Sequence, residues 1–191
     1  MDSFDHFLAD IEGLQIHFIH QKSSQPNAIP LMLNHGWPGS FLEFVPTIMP
    51  LTEAATTTTG ENVSFDIIVP SLPGFAFSSA PPANWTTIDT ARVYNTLMTK
   101  ILGYEKFAVF GTDWGSAPSY SLYENYNQST RAAHFAFIPF LHIPRAQFEE
   151  QNITLNSSLL EFEQQQTEAW SATGNAYLLL QNTKASTSMC L

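Results

Sequence analysis

The amino-acid sequence predicts an α/β fold, with a mostly parallel sheet that carries helices on both of its faces. Short apolar runs, typical of strands buried on both sides, alternate with stretches whose apolar residues recur at helical spacing. Three of these runs lead directly into glycine-containing turns, as strands do where a connecting loop begins. With 44% hydrophobic residues in a chain of 191, the composition is that of a packed domain.

The predicted elements follow in order along the chain. Residues 14–20 alternate apolar and polar side chains and predict a half-exposed strand. The apolar runs predict strands at 31–34, 65–69, 107–110 and 134–140. Helical spacing predicts helices at 41–51, 87–102 and about 116–126, and Ser40 is the expected cap of the first. Residues 52–63, which include four consecutive threonines, predict a surface loop.

The charge balance excludes several classes of partner. Seven Lys and Arg residues stand against 17 Asp and Glu residues, so the formal net charge is −10. Because there is no basic stripe, we expect neither nucleic acid nor a membrane as a partner. The sequence has no apolar stretch of membrane-spanning length and no signal peptide, which predicts a cytoplasmic protein. Clustered metal ligands and a phosphate-binding glycine loop are also missing, so we expect no cofactor and no metal.

The most informative segment is residues 110–115, Phe-Gly-Thr-Asp-Trp-Gly. It has the spacing of a nucleophile elbow, in which a strand turns sharply into a helix, with Asp113 where such elbows usually carry serine. A carboxylate is already an anion at neutral pH, so it can attack an electrophilic saturated carbon without a base. The resulting alkyl ester must then be hydrolysed. This chemistry opens an epoxide or a carbon–halogen bond. Taken alone, the motif would favour an ordinary turn or helix-capping aspartate.

Two further motifs favour the nucleophile. Residues 35–40, His-Gly-Trp-Pro-Gly-Ser, follow the strand at 31–34, and Pro-Ser-Leu-Pro-Gly-Phe-Ala-Phe-Ser follows the strand at 65–69. In a hydrolase sheet, the loop after the earlier strand and the residue after the nucleophile each supply one oxyanion-hole N–H group. Here these donors would be the backbone N–H groups of Trp37 and Trp114.

Together the three motifs resemble the microsomal-type epoxide hydrolases of the α/β-hydrolase superfamily, in particular their soluble fungal and bacterial members, over about residues 7–184. The resemblance implies an α/β-hydrolase fold, Asp113 as nucleophile, and a small apolar epoxide and water as substrates, giving a vicinal diol. It also favours a cis peptide bond before Pro38. The residues expected to shape the motifs are His35, Gly36, Pro38, Gly111 and Gly115.

The same resemblance predicts a domain organisation, with a core at 1–144 and the beginning of a helical lid at 145–191. Tyr177 would be the lid residue that donates a proton to the epoxide oxygen, and an ordinary apolar-stripe aromatic is an equally open interpretation. The family's histidine base and its acid partner lie beyond the lid, whereas all six histidines here precede it. The chain therefore looks truncated at both ends, and we expect little turnover by this chain alone.

A fold that is incomplete on its C-terminal side would leave the strand at 134–140 as an exposed apolar edge, which predicts self-association through that edge.

Two alternatives to an epoxide hydrolase stay open. One is a haloalkane-type dehalogenase that uses the same aspartate elbow, and the other is a non-catalytic, truncated relic.

Overall fold

The computed structural model describes residues 4–137, together with residues 162, 165 and 166. The chain divides after Pro139 into two units, and all the strands and helices given below lie in the first. The predicted domain boundary at 144/145 lies outside the described residues, and so does the predicted lid at 145–191 apart from residues 162, 165 and 166. No helix in the described part of the chain is long and apolar enough to cross a membrane.

The central sheet has six strands within residues 4–137, and it is mostly parallel, as predicted. Its spatial order is β1-β2-β6-β3-β7-β8. The last four strands pair in parallel, whereas β1 with β2 and β2 with β6 pair antiparallel. The strands are β1 (His6–Ile11), β2 (Leu14–Gln21), β3 (Ile29–Asn34), β6 (Phe65–Pro70), β7 (Phe107–Gly111) and β8 (Thr130–Phe135). A separate small hairpin joins β4 (Ala55–Thr56) to β5 (Asn62–Val63).

The predicted helices are confirmed, with two local changes. A 3-10 turn, Phe41–Phe44, precedes α1 (Val45–Thr52), and its cap is Ser40, whose side chain accepts the Leu42 N–H. The second helix, α2 (Thr87–Thr96), passes into a π-helical turn, Leu97–Ile101. The third, α3 (Ser116–Asn125), follows the elbow directly.

Two cores lie on opposite faces of the sheet because neighbouring residues of a strand point to opposite sides. Met32 and Ile68 pack with the core that contains α2 and Leu122 of α3. Their sequence neighbours Leu33 and Ile67 pack instead with Phe41, Phe44 and Ile48 around α1. The apolar runs of the central strands are therefore continuous because both faces are covered, as the predicted layering requires.

One predicted strand is wrong in position. The sequence predicts a strand at 134–140, but β8 begins at Thr130 and ends at Phe135. Parallel pairing with β7 sets this register, because Phe107 pairs with Thr130 and Gly111 with Phe135. The strand must end level with Gly111, where the elbow turns away from the sheet. In the described residues β8 is an edge strand, and it carries Arg131 as well as apolar residues.

The strand predicted at 14–20 is β2, but neither its partner β1 nor the pair β4–β5 was predicted. β1 forms a hairpin with β2 through Glu12 and Gly13, which both have positive φ values (55° and 80°). Positive φ at both central positions is the geometry of a tight hairpin turn, which suits glycine. The other pair is the β4–β5 hairpin, which lies within the predicted loop at 52–63. Its strands have two residues each, too few to show a periodic pattern.

Candidate active site

Asp113 lies at the sharp turn between β7 and α3, in the strand–turn–helix context that the motif predicts. A 3-10 turn, Asp113–Gly115, joins the two elements. Asp113 has a φ of +50°, a left-handed conformation that side-chain-bearing residues seldom adopt. Backbone strain of this kind persists where the surrounding structure enforces it, and it is frequent at functional sites.

Three glycines permit this turn because no side chain would fit in their place. A Cβ atom at Gly111 would lie 2.7 Å from the Gly115 carbonyl oxygen, and one at Gly115 would overlap the Asn34 and His35 carbonyl oxygens. At Gly36 the added atom would lie 2.5 Å from Asp113 Cβ. The end of β3 and the elbow are therefore in direct backbone contact.

Hydrogen bonds fasten the elbow to β3 beneath this contact. The Thr112 N–H donates to the Asn34 carbonyl oxygen at 3.2 Å. The Asn34 side-chain amide donates to Ser119 Oγ at 2.8 Å, and the Ser119 hydroxyl donates to the Gly115 carbonyl at 2.8 Å. Asn34 and Ser119 are fully buried, and sequence reasoning assigned them no role in the site.

The turn after β3 brings Trp37 to the aspartate. The Trp37 backbone N–H donates to Asp113 Oδ1 at 2.8 Å, a length typical of a charge-assisted hydrogen bond. The Trp37–Pro38 peptide bond is cis, as the resemblance favours. Trp114 follows Asp113 within the 3-10 turn, and 42% of its surface is exposed. Tyr177, the predicted lid residue, lies outside the described residues.

His35 connects two loops and does not face the aspartate as a free base. Its Nε2 accepts the Leu72 N–H at 3.0 Å, so Nδ1 carries the proton and donates to the Gly36 carbonyl at 3.0 Å. The ring is completely buried, and this burial lowers the pKa of His35, while the bond to Gly36 acts to raise it. His35 thus ties the turn after β3 to the turn after β6.

The other histidines with described hydrogen bonds also have partners away from Asp113. His17 bonds His6 at 2.7 Å and Ser71 at 2.8 Å, and His20 bonds the Tyr104 hydroxyl at 2.9 Å. His142 lies outside the described residues. Within the described part of the chain, no group of three or more His, Cys, Asp or Glu residues could hold a metal ion.

Glu43 is a residue of the site that sequence reasoning missed. Its Oε1 accepts the Gly36 N–H at 3.1 Å, next to the N–H of Trp37 that binds Asp113. Burial of the carboxylate raises the pKa of Glu43, the Gly36 N–H acts to lower it, and the negative charge of Asp113 raises it further. The sequence does contain a signal at this position, since Ser40-Phe41-Leu42-Glu43 has the Ser-x-x-Glu spacing of a helix capping box.

An open groove of about 840 Å³ lies on the α1 face of the sheet. Apolar side chains of α1, β3, β7 and β8 form most of its walls, and Glu43 and Thr112 also line it. Asp113 is not among its lining residues.

The fold agrees with the comparison to known families. The family model described as alpha/beta hydrolase fold matches residues 29–147, well over half of the chain. The chain belongs to this family. A second model, described as Epoxide hydrolase N terminus, matches residues 1–44 of this α/β hydrolase.

Relatives of this α/β hydrolase include epoxide hydrolases. Epoxide hydrolase 1 of Oryctolagus cuniculus is 41% identical over 61% of this chain and 26% of its own length. A relative from Stigmatella aurantiaca is 33% identical over 98% of this chain. Among solved structures, Aspergillus niger epoxide hydrolase matches with a TM-score of 0.68 and 33% identity, over 97% of this chain and 47% of that one. The chain thus spans less than half the length of these relatives, 41% in the case of the Stigmatella protein.

Proposed function

We propose that this α/β hydrolase opens epoxides by forming an alkyl ester on Asp113. The observation that carries the proposal is the Asp113 carboxylate, placed on a strained elbow and bound through Oδ1 by the Trp37 N–H at 2.8 Å. Epoxide-hydrolase-like relatives support the choice of an epoxide over a haloalkane. A halide-release assay with a haloalkane separates these two substrates.

The first step is attack on a saturated carbon. Because Trp37 binds Oδ1, Oδ2 is the oxygen left to attack. A bond forms between Oδ2 and an epoxide carbon, the ring C–O bond breaks, and its electron pair stays on the epoxide oxygen, which then takes up a proton. By resemblance Tyr177 would donate this proton. The enzyme then carries a β-hydroxyalkyl ester at Asp113.

The second step is hydrolysis of that ester. Oδ1 is now the carbonyl oxygen, so it takes the negative charge when water adds to the carbonyl carbon. The Trp37 N–H already points at this atom in the free protein, and we assign the Trp114 N–H as the second donor. Collapse of the intermediate breaks the bond between the carbonyl carbon and Oδ2, so the diol leaves with Oδ2 and takes up a proton. The oxygen from water then completes the restored Asp113 carboxylate. This step requires a general base to take a proton from water, and the proposal assigns that task to none of the described histidines.

The test is covalent capture followed by intact mass. The purified chain is incubated with a reactive aryl epoxide, and the expected result is a mass gain of one epoxide that peptide mapping places on Asp113. Asp113→Asn should abolish this gain, because a neutral amide is a poor nucleophile, whereas the exposed control Asp10→Asn should retain it. Capture that survives D113N overturns the assignment of Asp113.

The same experiment separates the two steps. An ester that accumulates without diol means that attack occurs and a base for hydrolysis is lacking. Formation of diol without an accumulated ester means that a base acts in the second step. Neither adduct nor diol from a folded protein contradicts the proposed function and favours a non-catalytic relic.

A further inference from the structure

The turn at residues 36–39 is held by two carboxylates at consecutive backbone N–H groups. Asp113 Oδ1 accepts the Trp37 N–H at 2.8 Å, and Glu43 Oε1 accepts the Gly36 N–H at 3.1 Å. The Gly36 N–H belongs to the peptide unit just before the one that carries the Trp37 N–H, and only the φ and ψ rotations of Gly36 separate the two units. Glu43 therefore acts on the segment that carries the proposed oxyanion donor.

The bond from Glu43 is not the one that its position in the sequence predicts. In a capping box, the glutamate three residues after the serine cap binds the backbone N–H of that cap. Ser40 does cap the 3-10 turn, because its side chain accepts the Leu42 N–H. Glu43 instead reaches past Ser40 to Gly36, seven residues earlier in the chain. The side chain thus serves the turn beside Asp113.

The Glu43 carboxylate also lies close to Gly39. A Cβ atom at Gly39 would lie 3.0 Å from Glu43 Oε2, closer than an ordinary contact. Residue 43 as a whole is exposed, but its hydrogen bond to Gly36 is partly buried. The Glu43 carboxylate therefore lies beside the turn at both Gly36 and Gly39.

This arrangement carries an electrostatic cost. Burial and the negative charge of Asp113 both raise the pKa of Glu43, and only the Gly36 N–H opposes them. Neighbouring like charges destabilise each other, more strongly where water is partly excluded. The hydrogen bond to the Gly36 N–H offsets part of this repulsion between Glu43 and Asp113.

Building on the proposed function, we infer that Glu43 is a positioning residue: by binding the Gly36 N–H it aims the Trp37 N–H at Asp113 Oδ1. Loss of this bond frees the turn to rotate, which misdirects the Trp37 donor and loosens the carboxylate that must attack. Misplacement of reacting groups by about 1 Å costs about 100-fold in rate. Binding of the epoxide itself should change little, because the inferred role of Glu43 is to hold the turn and not to contact the substrate.

The test measures the alkylation of Asp113 by intact mass as a function of epoxide concentration. Glu43→Ala should lower the limiting rate of ester formation about 10- to 100-fold, with the half-saturating epoxide concentration unchanged. Glu43→Gln keeps an oxygen acceptor for the Gly36 N–H and should restore most of the rate. Glu53→Ala is the matched control, because it removes the same charge at the exposed C-terminal end of α1.

A second measurement is independent of catalysis. Amide hydrogen exchange at Gly36 and Trp37 should accelerate in E43A and stay as in the wild type in E53A and E43Q. If E43A does not fold, Glu43→Met replaces it, since methionine fills similar space without a carboxylate. Equal alkylation rates in E43A and wild type, or a changed half-saturation with an unchanged limiting rate, overturn the inference.

The two proposals fail in different ways. If the wild type forms no ester at Asp113, the proposed function fails, and exchange at Trp37 alone then decides the role of Glu43. Faster exchange of the Trp37 N–H in E43A supports the positioning role, and unchanged exchange overturns it.

Discussion

At the scale of single residues, the candidate site depends on the backbone conformation of Asp113, which residues with a side chain seldom adopt. Asp113 has a φ of +50°, and the left-handed region costs an ordinary L-residue about 1–2 kcal/mol. Two close glycines, Gly36 and Gly115, enforce that conformation by admitting the backbone of β3 against the elbow. The strain places the carboxylate at the end of β7, where the Trp37 N–H binds it.

This strain predicts that the protein with glycine at position 113 is more stable than the protein with alanine there. Asp113→Gly and Asp113→Ala both lose the bond to Trp37, so the difference between them isolates the backbone. We expect D113G to exceed D113A by about 1 kcal/mol in free energy of unfolding, because glycine adopts positive φ freely. Urea denaturation measures this difference.

Glu61 supplies the control pair, because it is exposed and lies outside the positive-φ residues. There the glycine variant should be no more stable than the alanine variant, since glycine loses more entropy on folding. Equal stability of D113G and D113A would contradict the claim that the elbow stores strain.

At the scale of elements, the start of α2 is closed by a capping box. The Thr86 side chain accepts the Asp89 N–H, and the Asp89 carboxylate accepts the Thr86 N–H at 2.9 Å. The Thr86 hydroxyl first, and then Arg92, lower the pKa of Asp89 to about 2. Arg92 also binds Glu12 at 2.8 Å, which connects α2 to the β1–β2 turn.

We therefore expect Thr86→Ala to cost about 1 kcal/mol, the usual cost of removing an N-terminal cap. The loss should appear as a lower midpoint in urea denaturation with an unchanged slope. Thr58→Ala, in the exposed β4–β5 hairpin turn, is the control and should leave the midpoint in place. A T86A midpoint equal to that of T58A would mean that packing of α2 on the sheet alone determines its start.

At the scale of the whole molecule, buried histidines make stability depend on pH. His17 is 2% exposed, and burial first, then the nearby His6, lower its pKa from 6.5 to about 4. Burial also lowers the pKa of His20 and His35. In the unfolded chain these rings take up a proton at a higher pH than in the folded protein, so acid favours unfolding.

We expect the free energy of unfolding to be greatest above about pH 6.5, because there the rings are neutral in both states. The free energy of unfolding should fall as the pH is lowered from 6.5 toward 4, because His17 binds a proton in the unfolded chain but stays neutral in the folded protein. His17→Asn should reduce the slope of stability against pH in this window, with the remainder due to His20 and His35. An NMR titration that finds the pKa of His17 near 6.5 would contradict this account.

The parts of the site that can be predicted from the sequence are those formed by residues close together in the chain. The elbow is local, since Gly111, Asp113 and Gly115 lie within five residues and their spacing identifies the turn. The partner of Glu43 is not readable in this way, because Ser-x-x-Glu predicts a bond to Ser40 and the structure places the carboxylate on Gly36. The bond from Leu72 to His35 joins residues 37 positions apart and has no local pattern.

The sequence by itself determined the α/β layering, the three helices and the position of the sharp turn at Asp113, since each depends on periodicity or spacing over a few residues. Only the tertiary structure decided that β1 adds to the sheet as an edge hairpin and that β8 begins at Thr130. Strand register depends on the partner strand: β8 ends where β7 ends at the elbow. The hydrogen bond from the Trp37 N–H to Asp113 also depends on strand pairing, because it forms only when β3 and β7 lie side by side.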